Sequence, residues 1–146
     1  MSVAVDSLLD MSKAKLDDLF RASPAGEIPQ GDGRGTVVFA PDSRVAEPAA
    51  RLARLVAWQG KVFDPRKGEL LNKVTPFGIR SIRAKVYKDR SWLDGNESIV
   101  LDYSRTSLVA HWIRDEIRSI GPGTYLGIVY LGRARVLKFT LEFPVP

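Results

Sequence analysis

The sequence contains no cysteine, a single histidine and no long apolar run, and each absence excludes a class of function. Without cysteine there is neither a disulfide nor thiolate chemistry, which suits a reducing compartment. No uninterrupted run of about 18 apolar residues occurs, so we expect no membrane span. Asp6 and Asp10 interrupt the N-terminal segment, which therefore lacks the apolar core of a signal peptide. The sequence predicts a cytoplasmic protein.

Catalytic and cofactor signatures are equally scarce. His111 stands beside Trp112 without the cysteine, second histidine or G-x-S-x-G turn that metal and nucleophile sites use. The segment "GDGRG" at residues 31–35 precedes a predicted strand and does not join a strand to a helix, so it does not fit a phosphate-binding loop. We interpret it as a flexible entry into that strand. The sequence therefore predicts no metal, no cofactor and no assignable catalytic residue.

Positive charge is in modest excess, with a formal net charge of +5 and a pI of about 9.7. A basic protein gains affinity for phosphates by releasing counterions, which raises the question of nucleic-acid binding. The Lys and Arg residues are scattered over nearly every segment, however, with no basic block and no zinc-finger, RNP or helix-turn-helix motif. The sequence thus argues against nucleic acid as the partner.

The 146 residues fit a single domain, residues 1–146, with a helical beginning. Ser12 is expected to cap a short amphipathic helix. A second helix, "VAEPAARLARLVAW", is predicted at residues 45–58 with Asp42 or Ser43 as its cap, after the strand-like run "TVVFA". Residues 1–57 are thus interpreted as a helical N-terminal part with one strand.

Residues 58–146 are interpreted as an antiparallel β part with strands joined by short turns. Asp94-Gly95 is a hairpin signal, and the last strand alternates, with Phe139 and Leu141 on one face. A strongly curved antiparallel sheet or a small barrel buries such strands while leaving few edges unpaired. The predicted fold class is α+β, with N-terminal helices followed by that sheet or barrel.

Three short segments carry a resemblance to known proteins: "WQGKVF" at residues 58–63, "VLDY" at 100–103 and "IRDEIR...GTYLG" at 113–127. They resemble uncharacterised bacterial proteins that pair a Gly-x-Trp-x-Gly segment with a β-rich domain of unknown function. Those proteins are similar to small lipocalin-type, or calycin-like, barrels. Trp58 and Lys61 match the motif, while Gly33 stands in the place of the segment's tryptophan. The resemblance implies a lipocalin-like barrel with a ligand cavity and assigns no chemistry.

The stretch "IRDEIRSIGPGTYLG" at residues 113–127 fits two structures. At helical spacing its isoleucines share one face, and a glycine would end the helix. As a strand it alternates, and Gly-Pro-Gly becomes a hairpin turn into "TYLGIVYL". We favour the strand because "TYLGIVYL" needs a partner and because the resemblance implies a barrel. Either Asp115 or the row of Arg114, Glu116 and Arg118 then faces inward.

Aromatic residues recur on most predicted strands, and Tyr and Trp combine an apolar body with a polar tip, as small-molecule pockets require. Asp102 lies between apolar neighbours and points either into the core or outward. We favour the outward position because it places more apolar area inside, with Tyr103 facing inward. The candidate ligand-binding residues are Trp58, Phe63, Tyr87, Asp102, Tyr103, Arg114, Tyr125 and Tyr130.

Three functional hypotheses follow from these residues. The leading one is a non-enzymatic binder of a small hydrophobic or amphipathic molecule in a β-barrel cavity. The second is a small cavity enzyme in which Asp102 or Glu116 acts as the base, with Tyr103 or Arg114 as its partner. The third is a structural or dimerisation module, in which the terminal hairpin supplies a homodimer interface. We favour binding over catalysis.

Overall fold

A computed structural model describes residues 5–39, 61–72, 82–105 and 111–145. In these ranges two short helices, α1 (Val5–Leu8) and α2 (Lys13–Ala22), precede eight strands that form a closed barrel. The strands are β1 (Gly31–Phe39), β2 (Lys61–Asp64), β3 (Glu69–Asn72), β4 (Ile82–Arg90), β5 (Glu97–Asp102), β6 (Ile113–Gly121), β7 (Thr124–Leu131) and β8 (Ala134–Glu142).

The barrel is antiparallel throughout, because each strand pairs with its neighbour in sequence and β8 pairs with β1. This topology gives it two different ends. The turns between β2 and β3, β4 and β5, and β6 and β7 lie at one end, called here the turn end. The connections from β1 to β2, β3 to β4 and β5 to β6 leave from the opposite end, called here the loop end.

The predicted sheet or barrel is thus a closed barrel of eight strands. The described helices are short, so the α+β description overstates the helical part seen in these ranges. The helix predicted at residues 45–58 lies outside the described residues. Neither described helix is long and apolar enough to cross a membrane.

Several local predictions are confirmed. The stretch at residues 113–120 is a strand, β6, hydrogen-bonded to both β5 and β7. Asp94-Gly95 lies in the turn between β4 and β5, and Gly95 takes a φ of 76°. Ser12 caps α2, since its side chain accepts a hydrogen bond from the Lys15 amide at 3.2 Å.

Side chains of alternate strand residues point into the barrel interior, as the period of two requires. This inner apolar cluster draws on nearly all strands and includes Phe63, Leu70, Ala84, Val86, Ile99, Leu101, Tyr103, Ile117, Tyr125, Val129, Leu137, Phe139 and Leu141. These side chains have almost no exposed surface. The interior of an eight-stranded barrel is wide enough for its side chains to fill it or for one small ligand to fit among them.

The segment at residues 31–35 is not a flexible entry, as the sequence suggested, but the first half of β1. Gly31 and Gly33 pair with Phe63 and Lys61 of β2. The glycine at position 33 has a steric role, because a Cβ there would overlap the Phe143 ring. Phe143 therefore packs directly on the backbone of β1, where the resemblance would place a tryptophan.

Helix α2 covers the outer face of the barrel. Leu16 and Phe20 pack with outward side chains of β6 and β7 in a second apolar cluster. Asp17 of the same helix forms ion pairs with Lys138 and Arg135 of β8, each at 2.8 Å. The helix is thus held to the barrel wall by both apolar and charged contacts.

Candidate functional site

A group of three polar side chains lies inside the apolar interior. The Lys61 Nζ donates a hydrogen bond to the Tyr103 hydroxyl at 2.8 Å. It also lies 3.3 Å from Asp115 Oδ2, and the Tyr103 hydroxyl lies 3.5 Å from the same oxygen. The side chains of Lys61 and Asp115 have no exposed surface. We call these three residues the inner polar triad.

The positions of the triad follow from strand alternation. Lys61 shares the inward face of β2 with Phe63, and Asp115 shares the inward face of β6 with Ile117. Tyr103 follows β5 and packs in the same cluster. The Lys61 ammonium also lies 5.5 Å from the centroid of the Tyr103 ring. The triad is therefore part of the core and not of the barrel rim.

Burial dominates the electrostatics of the triad. It raises the pKa of the Asp115 carboxyl, although Lys61 and Tyr103 act in the opposite direction. It lowers the pKa of the Lys61 amine against the attraction of Asp115. Asp115 Oδ1 is buried and accepts no hydrogen bond in the described part of the chain. A buried oxygen left in this state costs about 1–3 kcal/mol, so the triad is not optimised for stability alone.

Three aromatic rings close the turn end below the triad. Phe143 lies 5.6 Å from the Phe63 ring and 5.7 Å from the Tyr125 ring, both in edge-on geometry. The Tyr125 hydroxyl donates to the Glu27 carbonyl at 2.7 Å, which fixes its ring against the chain that enters β1. A molecule that reached the triad would therefore enter from the loop end.

A second feature is an open cleft of about 350 Å³ on the outer wall. It is lined mainly by polar and aromatic side chains, among them Trp92, Asp102, His111, Trp112, Arg114 and Arg133. Trp92 and Trp112 are 39% and 66% exposed, which is unusual for the largest apolar side chains. We call this feature the outer cleft.

Glu116 organises one wall of the outer cleft. Its Oε2 accepts hydrogen bonds from the Trp92 amide at 2.8 Å and from two nitrogens of Arg114. Its Oε1 accepts from the Ser91 hydroxyl at 2.6 Å. These bonds draw the turn between β4 and β5 back over the outer face. They also engage both carboxylate oxygens of Glu116.

Asp102 occupies another part of the cleft and is similarly engaged. It accepts hydrogen bonds from the Tyr87 hydroxyl at 2.7 Å and from the hydroxyl and amide of Ser104. Partial burial opposes the charge, but the bonds from Ser104 and Tyr87 hold its pKa below the usual range. Burial and the same carboxylate raise the pKa of Tyr87 to about 12. Asp102 is therefore a structural acceptor in this arrangement.

The predicted ligand-binding residues are divided between the two faces of the wall. The inward members are Phe63, Tyr103 and Tyr125, and the outward members are Tyr87, Asp102, Arg114 and Tyr130. Trp58 lies outside the described residues. The proposed base Asp102 and its proposed partner Tyr103 thus face opposite sides, whereas Glu116 and Arg114 do form a pair at 3.0 Å.

Two residues of the triad, Lys61 and Asp115, were not among the predicted site residues. Alternation contained the signal, because Lys61 is two residues from Phe63 and Asp115 is two residues from Ile117. A charged residue two positions from an inward apolar residue on the same strand is predicted to point inward and to be buried. Two such residues of opposite sign in one barrel predict a pair.

Comparisons with known proteins give the fold and no activity. No family model matches the sequence, and no curated protein matches it significantly. The crystal structure of a protein from Thermomonospora curvata is similar, with a TM-score of 0.66 and 17% sequence identity. The likeness covers 96% of this chain and 93% of that one. At this identity it supports the barrel architecture alone.

Proposed function

We propose that the chain binds a small amphipathic molecule inside the barrel, with the polar group of that molecule on the inner polar triad. The observation that carries the proposal is the unpartnered Asp115 Oδ1, buried beside Lys61 and Tyr103 in an apolar interior. A lipocalin-like kinship, which the sequence resemblance implies, belongs to the same proposal.

A purely structural role explains the triad less well. Buried ion pairs stabilise proteins little, because desolvation offsets their attraction, and apolar replacements are often neutral or stabilising. A buried polar atom without a partner is accounted for by a ligand or water that completes its hydrogen bonds. Asp115 Oδ1 is such an atom, and Phe139 and Leu101 supply apolar surface around the triad.

The chemistry of the triad limits the polar group of the ligand. Lys61 and Asp115 neutralise each other, so the triad offers no net charge to a carboxylate or an ammonium group. The unpartnered atom is an acceptor and therefore requires a donor. A neutral alcohol or primary amide on an apolar chain has this combination.

Entry requires an opening of the barrel. The triad has no exposed surface and the aromatic rings close the turn end, so a ligand reaches the triad only after a conformational change of the barrel. Association is therefore expected to be limited by a conformational step and to be slower than docking to a preformed surface.

The experiment compares the wild type with the double variant Lys61→Met/Asp115→Leu. Titration calorimetry with octanamide and octanoate is expected to show binding of the amide and weaker binding of the acid, with the amide binding lost in the double variant. The control Glu69→Gln/Lys85→Met removes a pair on the outer face, whose atoms lie 3.0 Å apart, and should bind octanamide normally. Native mass spectrometry of the freshly purified protein reports any retained molecule.

Two outcomes would count against the proposal. One is equal binding of octanamide by the wild type and the double variant when both are folded. The other is absence of binding and of any retained molecule in the wild type.

The competing hypotheses receive less support from this geometry. The carboxylates of the enzymatic hypothesis, Asp102 and Glu116, each accept hydrogen bonds on both oxygens on the outer wall. The terminal hairpin of the structural hypothesis has both edges hydrogen-bonded, because β7 pairs with β6 and β8 pairs with β1. Edge-to-edge dimerisation through that hairpin would require the barrel to open.

A further inference from the structure

The outer cleft contains an indole ring that is held in place on several sides. The Trp92 amide is bonded to Glu116, and its ring meets the Tyr130 ring edge-on at 5.1 Å. The guanidinium of Arg114 lies 4.2 Å from the Trp92 ring centroid and that of Arg133 lies 4.0 Å from it. Trp92 nevertheless remains 39% exposed. The Trp92 ring is therefore stacked by two guanidiniums and presents only part of its indole to the cleft.

The two arginines on this ring differ in how their charge is balanced. Arg114 pairs with Glu116 at 3.0 Å and donates to the Arg90 carbonyl at 2.9 Å. For Arg133, no carboxylate within the described ranges lies at ion-pair distance, and its guanidinium stacks on the Trp92 ring. The planar guanidinium of Arg133 therefore keeps its donors available for an anion.

A second exposed indole borders the cleft. Trp112 is 66% exposed and packs against the His111 ring at 4.5 Å. Its carbonyl accepts a hydrogen bond from the Gly132 amide at 2.9 Å, which ties the start of β6 to the turn that carries Arg133. The two tryptophans and Arg133 thus lie on chain segments that are bonded to one another.

We propose that the outer cleft is a binding site for a small aromatic anion, whose carboxylate or phosphate pairs with Arg133 and whose ring packs against the exposed Trp112 ring beside Trp92. The acidic member of the lining, Asp102, does not oppose this, because Tyr87 and Ser104 already occupy its oxygens. The site stands on the outer wall and does not depend on the inner polar triad.

Calorimetry with three probes tests both halves of this proposal. We expect 1-naphthoate to bind, while the neutral 1-naphthamide and inorganic phosphate, which lacks a ring, bind at least about tenfold more weakly. In ¹⁵N-labelled protein, naphthoate should shift the indole N–H signals of Trp92 and Trp112. Equal binding of naphthoate and naphthamide would overturn the role of the charge, and equal binding of phosphate the role of the rings.

Variants then locate the anion. Arg133→Met should weaken naphthoate about tenfold, and Arg133→Lys should weaken it less, since lysine keeps the charge but not the planar donors. Arg66→Met, an exposed arginine in the turn between β2 and β3, is the matched control. Arg133 lies in an exposed turn, so its variants should fold, and their thermal unfolding verifies this. Affinities of Arg133→Met and Arg66→Met that agree within twofold would disprove the assignment.

The triad variant separates this site from the proposed interior one. Lys61→Met/Asp115→Leu should bind naphthoate as the wild type does. Loss of naphthoate binding in that variant, while its fold is intact, would place the anion in the interior and refute the outer site.

Discussion

Removal of one member of the buried pair should be far more damaging than removal of both. Lys61 and Asp115 have no exposed surface and their charged atoms lie 3.3 Å apart. A single replacement, Lys61→Met or Asp115→Leu, leaves an uncompensated charge where water cannot reach it. The expected loss in the free energy of unfolding is about 3–5 kcal/mol for each single variant. The double variant leaves neither charge and should lose less than either single variant.

The two single variants should respond to pH in opposite directions. In Lys61→Met, burial raises the pKa of Asp115, so the deficit is full above that pKa and shrinks as the pH falls toward the unfolded value of about 3.9. In Asp115→Leu, burial lowers the pKa of Lys61, so the deficit is full below that pKa and shrinks as the pH rises toward about 10.4. Each slope approaches about 1.4 kcal/mol per pH unit.

Urea unfolding of the four proteins, followed by far-UV circular dichroism between about pH 4 and pH 9, measures these differences. The coupling free energy of the resulting double-mutant cycle isolates the pair. Two results would refute the reasoning: additive losses in the double variant, or single-variant deficits that do not change with pH. Either would mean that the pair is hydrated or neutral in the folded protein.

Three further substitutions test the packing and the charge of the wall. Gly127→Ala should cost about 1–3 kcal/mol of unfolding free energy, because its Cβ would overlap the Phe139 ring, and adding Phe139→Leu should recover part of that loss in urea unfolding. Arg118→Lys should cost about 2 kcal/mol or more, because Arg118 bonds both oxygens of Asp94 at 2.7 Å and the Phe20 carbonyl at 2.9 Å. The hydrogen bonds from Arg118 hold the pKa of Asp94 at about 2, so their stabilisation is complete above the unfolded value of about 3.9 and is lost as the pH falls through 2. Asp94→Asn should therefore flatten the acid branch of the stability curve, and an unchanged branch would contradict this assignment.

The antiparallel sheet or barrel could be predicted from the sequence, whereas its closure as eight strands could not. Alternation in β8 placed Phe139 and Leu141 on one face, and turn residues such as Asp94-Gly95 marked the ends of strands. The preference for a strand at residues 113–120 was correct for a physical reason. As a strand, this segment satisfies the hydrogen bonds of β5 and β7 on both sides, which a helix could not do.

The first half of β1 and the site were harder to predict. Glycine-rich residues 31–35 carry no alternating side chains, so nothing local shows that they pair with β2 and accept the Phe143 ring. Lys61 and Asp115 are separated by more than fifty positions and meet only because the barrel closes. The Tyr and Trp residues were predicted to line one pocket because of their side-chain type. Residue type does not show which face of a strand a side chain occupies, because neighbouring positions point to opposite faces.

The same alternation of faces separates the charged residues of β6. Consecutive charges along this strand lie on opposite faces and do not pair with each other. Arg114 pairs with Glu116, two positions away, on the outer face at 3.0 Å. Asp115, between them, pairs with Lys61 across the interior at 3.3 Å. Because the wall is one backbone thick, consecutive residues serve two separate polar environments, one inside the barrel and one on its outer side. A slip of the strand by one residue would turn Asp115 outward and Arg114 and Glu116 inward, so the register that closes the barrel also assigns each charge to its site.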